Sequence, residues 1–89
     1  MFSESVKIKD VKLEIGKLVR SLRKRENISQ EQLAELLELS RITIRNLESG
    51  KNATADTLLK VLQHFELLAP LHQLIINTRD ENEQVESLY

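Results

Sequence analysis

Cysteine and tryptophan are absent from this chain, and its 89 residues include one proline, two glycines and three aromatic side chains. Without cysteine there is neither a disulfide nor a thiolate metal site, the composition expected of a soluble protein of the cytoplasm. Scarce aromatics and scarce turn formers argue against a sheet, because strands draw on β-branched and aromatic residues divided by turns. No apolar run approaches the roughly 20 residues that a membrane helix needs. Met1-Phe2-Ser3-Glu4-Ser5 lacks the basic-then-apolar build of a secretory signal. Glycine-rich phosphate loops and the Gly-x-Ser-x-Gly elbow of a nucleophile are missing. His64 and His72 stand eight apart with no carboxylate at ligand spacing, and each reads as a helix residue rather than a metal ligand. The chain is therefore expected to be no enzyme and to hold no cofactor or metal. Its length supports one domain with one core, too little for a catalytic cleft between domains.

What remains is aliphatic and charged. The net charge of −1 conceals an asymmetry: residues 1–51 carry eleven Lys/Arg against eight Asp/Glu, and residues 52–89 carry two against six. The halves are +3 and −4, which together give the total of −1. A surface that faces phosphate needs local positive charge, not a basic total.

The apolar spacing predicts five helices and a tail. A first helix over 11–25 puts Ile15, Leu18, Val19 and Leu22 on one stripe and Lys17, Arg20, Ser21 and Lys24 on another. Asn27 suits the left-handed stop that would end it. Ser29, followed three residues later by Gln32, is a capping box that starts a second helix at Gln30 and takes it to Glu38. Ser40 caps a third helix reaching Ser49, and Gly50 ends it in the conformation glycine tolerates best. Thr54 caps a fourth, with Leu58, Leu59, Val61, Leu62 and Phe65 apolar within it. Ala69-Pro70 opens a fifth, since proline fits a first helical position, and Leu71, Leu74, Ile75 and Ile76 give it an apolar face. From Arg79 the chain turns polar. An N-terminal arm over 1–10, a domain over 11–78 and a frayed acidic tail over 79–89 are expected, with Val85, Leu88 or Tyr89 the only tail residues able to dock. There is no internal repeat.

The stretch from Ser29 to Gly50 is the most informative. It reads as two short helices, each opened by a serine cap and joined by a tight turn. Leu33, Ala34, Leu37, Ile44 and Leu47 lock the pair together. Ile44 and Leu47, three apart, turn inward and leave Arg41, Ile42, Arg45 and Asn46 outside. A surface helix built only for stability would carry Lys/Glu pairs there. Arginine grips guanine bidentately, asparagine does the same for adenine, and isoleucine meets a thymine methyl group. Such a unit lays its second helix in the DNA major groove and its first across the backbone.

Residues 15–67 resemble the lambda-repressor/Cro-like helix-turn-helix family, also called the XRE family. The matching text is Leu22-Arg23, Ile28-Ser29-Gln30, Leu33-Ala34, Ser40 through Ile44, Leu47-Glu48-Ser49-Gly50-Lys51 and Thr57-Leu58-Leu59. The resemblance implies an all-α, five-helix lambda-repressor-like domain. It implies base contacts from Ser40, Arg41, Ile42, Arg45 and Asn46, with Arg41 and Asn46 foremost. It also implies that Gln30, at a helix start where free amides and the dipole attract phosphate, touches the DNA backbone and steadies a side chain of helix three. Lys51 and Asn52 are further expected phosphate contacts, as are Lys17, Arg20 and Lys24 if helix one faces the duplex. Arg23 and Glu48 are implied to form a structural ion pair, with one Arg23 N–H left to reach phosphate. Two positions depart from the family pattern. Glu38 stands where the turn usually has glycine, and Leu36 stands where a polar residue is usual, as an extra core contact or a protein interface.

A single helix-turn-helix reads only a few base pairs, so useful affinity requires two copies on a palindromic site. The expected homodimer seam is Leu71, Leu74, Ile75 and Ile76, which otherwise complete the monomer core; family members often dimerise after helix four. The expected function is a sequence-specific DNA-binding transcriptional regulator, a repressor. Two alternatives stand beside it. The run from Thr54 to Leu74 resembles small regulators of the HipB antitoxin type, which bind DNA and hold a toxin partner. The unit could also be kept as an interaction module with no DNA role.

Overall fold

A computed structural model describes residues 5–87, with side chains to Val85, and the regular structure of these residues is entirely helical. Five helices follow one another: α1 (Ile8–Arg25), α2 (Gln30–Leu36), α3 (Arg41–Glu48), α4 (Ala55–His64) and α5 (Leu68–Ser87). Ser29, Ser40 and Thr54 cap α2, α3 and α4, each side-chain oxygen accepting a backbone N–H from the first turn. In α2 the return half of the capping box is also made, the Ser29 N–H donating to Gln32 Oε1 at 2.7 Å.

Several boundaries differ from expectation. Helix α1 starts inside the expected arm, because the Asp10 carboxylate accepts the Lys7 N–H at 2.9 Å and closes the first turn there. Residues 1–4 of that arm lie outside the described residues. Helix α2 stops two residues early, where Glu38 turns left-handed. The expected frayed tail is instead helix as far as Ser87. No glycine or proline interrupts it, and Arg79 pairs one turn onward with Glu83 at 3.5 Å. Val85 does not dock, being 55% exposed, and Leu88 and Tyr89 lie outside the described residues. Pro70 is the third residue of α5 rather than the first, still in the opening turn where its missing N–H costs nothing.

Four of the helices end by one device. Asn27, Glu38, Gly50 and Glu66 have φ of 58°, 57°, 78° and 61°. In each case the next N–H reaches back to a carbonyl five residues earlier: Ile28 to Arg23, Leu39 to Ala34, Lys51 to Asn46 and Leu67 to Leu62, at 2.8–3.2 Å. These are Schellman stops. They also reverse the chain so that Ile28, Leu39 and Leu67 fold back onto the core. Glycine and asparagine enter this conformation readily, whereas glutamate is opposed by its Cβ. Glu66 carries no turn signal in the sequence, and its stop was not expected.

Val19, Leu33, Ala34, Ile44, Leu47, Val61 and Phe65 form the buried core, drawn from α1 to α4 and the end of α4. Leu18 and Leu59, expected on apolar stripes, are exposed; the buried stripes are narrower than the apolar ones. Helix α2 packs on α3, and α1 crosses α3 closely. Gly16 permits that crossing. A Cβ there would lie 2.8 Å from the Glu48 carbonyl carbon and 2.9 Å from the Leu47 oxygen. A glycine inside a helix gives up about 1 kcal/mol of propensity against alanine, and here it admits the backbone of α3.

Gly16→Ala is accordingly expected to destabilise by about 1–3 kcal/mol through overpacking, despite the better helix former; urea unfolding measures it. Glu38→Gly and Glu66→Gly should each stabilise by about 0.5–1 kcal/mol, the relief of left-handed strain exceeding the added freedom of the unfolded chain. The same two positions changed to alanine should show no such gain, which separates backbone strain from loss of charge.

Candidate nucleic-acid interface

Helix α3 has eight residues, and two of them set its orientation: Ile44 is fully buried and Leu47 is 4% exposed. At 3.6 residues per turn, the direction opposite that pair belongs to Ile42, with Arg45 and Asn46 to either side and Arg41 beside Arg45. Ser40, Arg41, Ile42 and Arg45 are exposed, Ile42 by 58%, and Asn46 is half-buried on the flank. Ser40 is committed to the cap: its Oγ accepts the Thr43 N–H at 3.1 Å and lies 2.8 Å from Thr43 Oγ1.

Behind this face lies a polar network that joins three helices. Arg23 of α1 grips Glu48 of α3 with two parallel bonds, Nε to Oε2 at 2.7 Å and Nη2 to Oε1 at 3.0 Å. Its Nη1 donates to the Ile28 carbonyl at 2.9 Å, inside the stop of α1. Gln30, the first residue of α2, donates from Nε2 to Glu48 Oε1 at 3.0 Å. The carboxylate side chain is 4% exposed and that of Arg23 12%. Burial by itself would push the Glu48 carboxyl up. The Arg23 and Gln30 hydrogen bonds, with the charges of Arg23 and Arg20, outweigh it and hold the group below its ordinary value. Hydrogen bonding to Glu48 raises Arg23 in turn, against the opposing effect of burial.

The cations of α1 divide. Arg20 is one turn beyond Gly16, on the side nearest α3, and its charge acts on Glu48. Lys17 and Lys24 are exposed, about 40–60° further round the helix than Arg20. Lys17 is paired to Glu14 at 3.1 Å on its own helix. Lys51 and Asn52 are exposed just beyond α3. Asn52 meets Lys12 of α1, and an open groove along the flank of α3 is lined by Thr43, Asn46, Asn52, Ala53, Thr54 and Thr57. Lys12 escaped the sequence reading because no motif marks it, and Thr43 and Thr57, although within the matching text, were given no contact role; the groove exists only once α3, the loop after it and α4 are assembled. Leu36 is exposed and adds no core contact. Among the described residues no group of three or more His, Cys, Asp and Glu could hold a metal ion, and no helix is long and apolar enough to cross a membrane.

The lowered Glu48 value predicts a pH signature. A carboxyl whose folded pKa lies below its unfolded one stabilises fully above the ordinary glutamate value, near about 4.3, and that contribution is lost as pH falls through the folded value. Glu48→Gln strands Arg23 and should cost about 3–5 kcal/mol at neutral pH. The variant should then lose less further stability than the wild type on acidification below about pH 4. Thermal melts across the acid range check this, and parallel curves for the two proteins would count against a role for the carboxylate.

The helix-turn-helix family model matches residues 19–68, more than half of the chain. That span runs from the middle of α1 to the first residue of α5 and contains the whole α2–turn–α3 unit. A Methanocella arvoryzae protein named as an HTH-type transcriptional regulatory protein is 38% identical over 66 residues, which are 72% of this chain and 20% of that protein. The competence pilus inhibition repressor of Acinetobacter baylyi is 40% identical over 50 residues, 56% of this chain and 46% of that repressor. The chain thus spans less than half the length of either relative. With its capped helix pair, its left-handed turn and the matched span, the chain belongs to the helix-turn-helix family of lambda-repressor/Cro-like, or XRE, proteins.

Proposed function

We infer that this chain is a sequence-specific DNA-binding regulator that acts as a repressor, binding a palindromic operator as a homodimer. One observation carries the reading: the burial of Ile44 and Leu47 turns Arg41, Ile42, Arg45 and Asn46 outward on a helix narrow enough for the major groove. In this reading Arg41, Arg45 and Asn46 supply hydrogen bonds to purine edges, Ile42 meets a thymine methyl group, and Ser40 approaches at the helix start. Gln30, Lys51, Asn52 and Arg20 contact phosphates and set the docking angle, with Lys17 and Lys24 at the margin. A relative named as a repressor supports the direction of control.

Dimerisation follows from the size of the unit, since one recognition helix covers only a few base pairs. The seam of this reading is the outer side of α5. Leu74 and Ile75 are 61% and 57% exposed, Leu71 between them is half-buried, and Ile76 is half-buried further round the helix. Beside them Leu59, Leu68, Leu71, His72 and Ile75 line an open apolar groove of about 370 Å³. A second copy would remove this surface from water.

Arg41→Ala and Asn46→Ala should each weaken binding to a site selected from random duplexes by about 1–3 kcal/mol and relax preference at one base pair. Electrophoretic titration over a series of salt concentrations measures this, and wild-type affinity should fall steeply with salt. Equal affinity for all sequences, unchanged by both substitutions, would remove base reading from the account.

A further inference from the structure

The loop after α3 holds a contact that the packing of the helix-turn-helix pair does not require. Lys12 of α1 brings its ammonium against the side-chain oxygen of Asn52, forty residues further along the chain. An ammonium has three donors and no acceptor, so it can meet an amide only at the carbonyl oxygen. The Asn52 amide is thereby held with its NH₂ turned away from Lys12, and that NH₂ makes no hydrogen bond among the described residues.

Asn52 faces the groove along the flank of α3, together with Asn46, Thr43 and Thr57. The Thr54 hydroxyl donates to Thr57 Oγ1 at 3.0 Å, which leaves the hydroxyl hydrogen of Thr57 to donate in its turn. No carboxylate lines the groove, and Asp56 in the first turn of α4 is paired with Lys60 at 3.8 Å. A helix with its side chains is about 10–12 Å across and the major groove of B-form DNA is about 12 Å wide. A helix seated there consequently has a sugar–phosphate strand along each flank.

Resting on the DNA-binding reading above, we propose that this groove seats one of those strands, with Asn52 donating to a phosphate oxygen and Lys12 as the positioning residue that keeps the amide turned towards it. Lys12 satisfies the carbonyl oxygen, which would otherwise face phosphate as often as the NH₂ does. The groove then offers donors where the strand offers only acceptors.

Asn52→Asp is the discriminating variant. Aspartate keeps the contact with Lys12 as an ion pair, and with it the fold, while replacing both donors by a carboxylate that repels phosphate. Binding is followed by fluorescence anisotropy with two labelled duplexes, one selected from random DNA by the wild-type chain and one of scrambled sequence. Asn52→Asp should weaken both by the same factor, roughly tenfold or more, with an unchanged or higher melting temperature. Lys12→Met should weaken both by about threefold to tenfold without altering the salt slope, and Lys12→Arg, which again supplies only donors, should restore binding. Wild-type affinity in Asn52→Asp would overturn the proposal. So would a loss confined to the selected duplex, which marks base reading, or a salt slope reduced by about 1 in Lys12→Met, which would make Lys12 itself a phosphate ligand. If the wild-type chain bound neither duplex, the DNA-binding reading would fall, and this proposal with it.

Discussion

Three helices meet at one buried carboxylate. Glu48 closes α3, and it is held by Arg23 from α1 and by Gln30 from the start of α2. An eight-residue helix has little stability of its own, so the direction of α3 must come from its neighbours. Apolar burial of Ile44 and Leu47 fixes which side faces inward, but it is non-directional and tolerates rotation. The two parallel Arg23 bonds are directional, and they pin the end of the helix in one orientation. Gly16 belongs to the same constraint, because only a residue without Cβ lets α1 approach the backbone at the end of α3 this closely. A buried ion pair is weak evidence of net stability, since desolvation opposes it. Its consequence here is positional: the outward face of α3 is aimed by groups that face the other way.

Charge is sorted along the chain in a way the total hides. The helix-turn-helix part carries the cations and leaves Arg41, Arg45 and Lys51 exposed on or beside α3. The net negative charge lies in residues 52–89, where cations are few and Asp80, Glu81 and Glu83 ride on the second half of α5. A net charge of −1 is then compatible with a locally positive surface, as phosphate attraction decays over about 10 Å at ordinary salt. Separation of charge along the molecule matters more than its sum.

The turns show the same economy with few glycines. Four helix stops need a left-handed residue and only one uses glycine. Asparagine serves at position 27, while glutamates accept the strain at 38 and 66. What compensates is the residue that follows: Ile28, Leu39 and Leu67 are each delivered to the core by the reversal. Full burial of one such side chain is worth about 1.5–3 kcal/mol, and the partial burial of these three offsets strain of about 1–2 kcal/mol at the neighbour.

Local rules reached far into this protein. Helices α2, α3 and α4 begin at the serine and threonine caps read from the chain, and Leu33, Ala34, Ile44 and Leu47 are buried where their spacing puts them, because capping and amphipathic periodicity act within a few residues. The same reading missed the helical course of residues 79–87, since a polar stretch without a packing stripe looks alike whether helical or frayed. It also missed the stop at Glu66 and the role of Gly16, neither of which has a signal in its own neighbourhood. What only the tertiary structure decided is which groups without a motif meet, Lys12 with Asn52 and the polar flank of α3 with the loop after it, whereas the hold of Gln30 on a side chain of helix three was legible in the resemblance. Those pairings depend on how three helices cross, and crossing geometry is set by the shapes of whole packed faces rather than by any short run of residues.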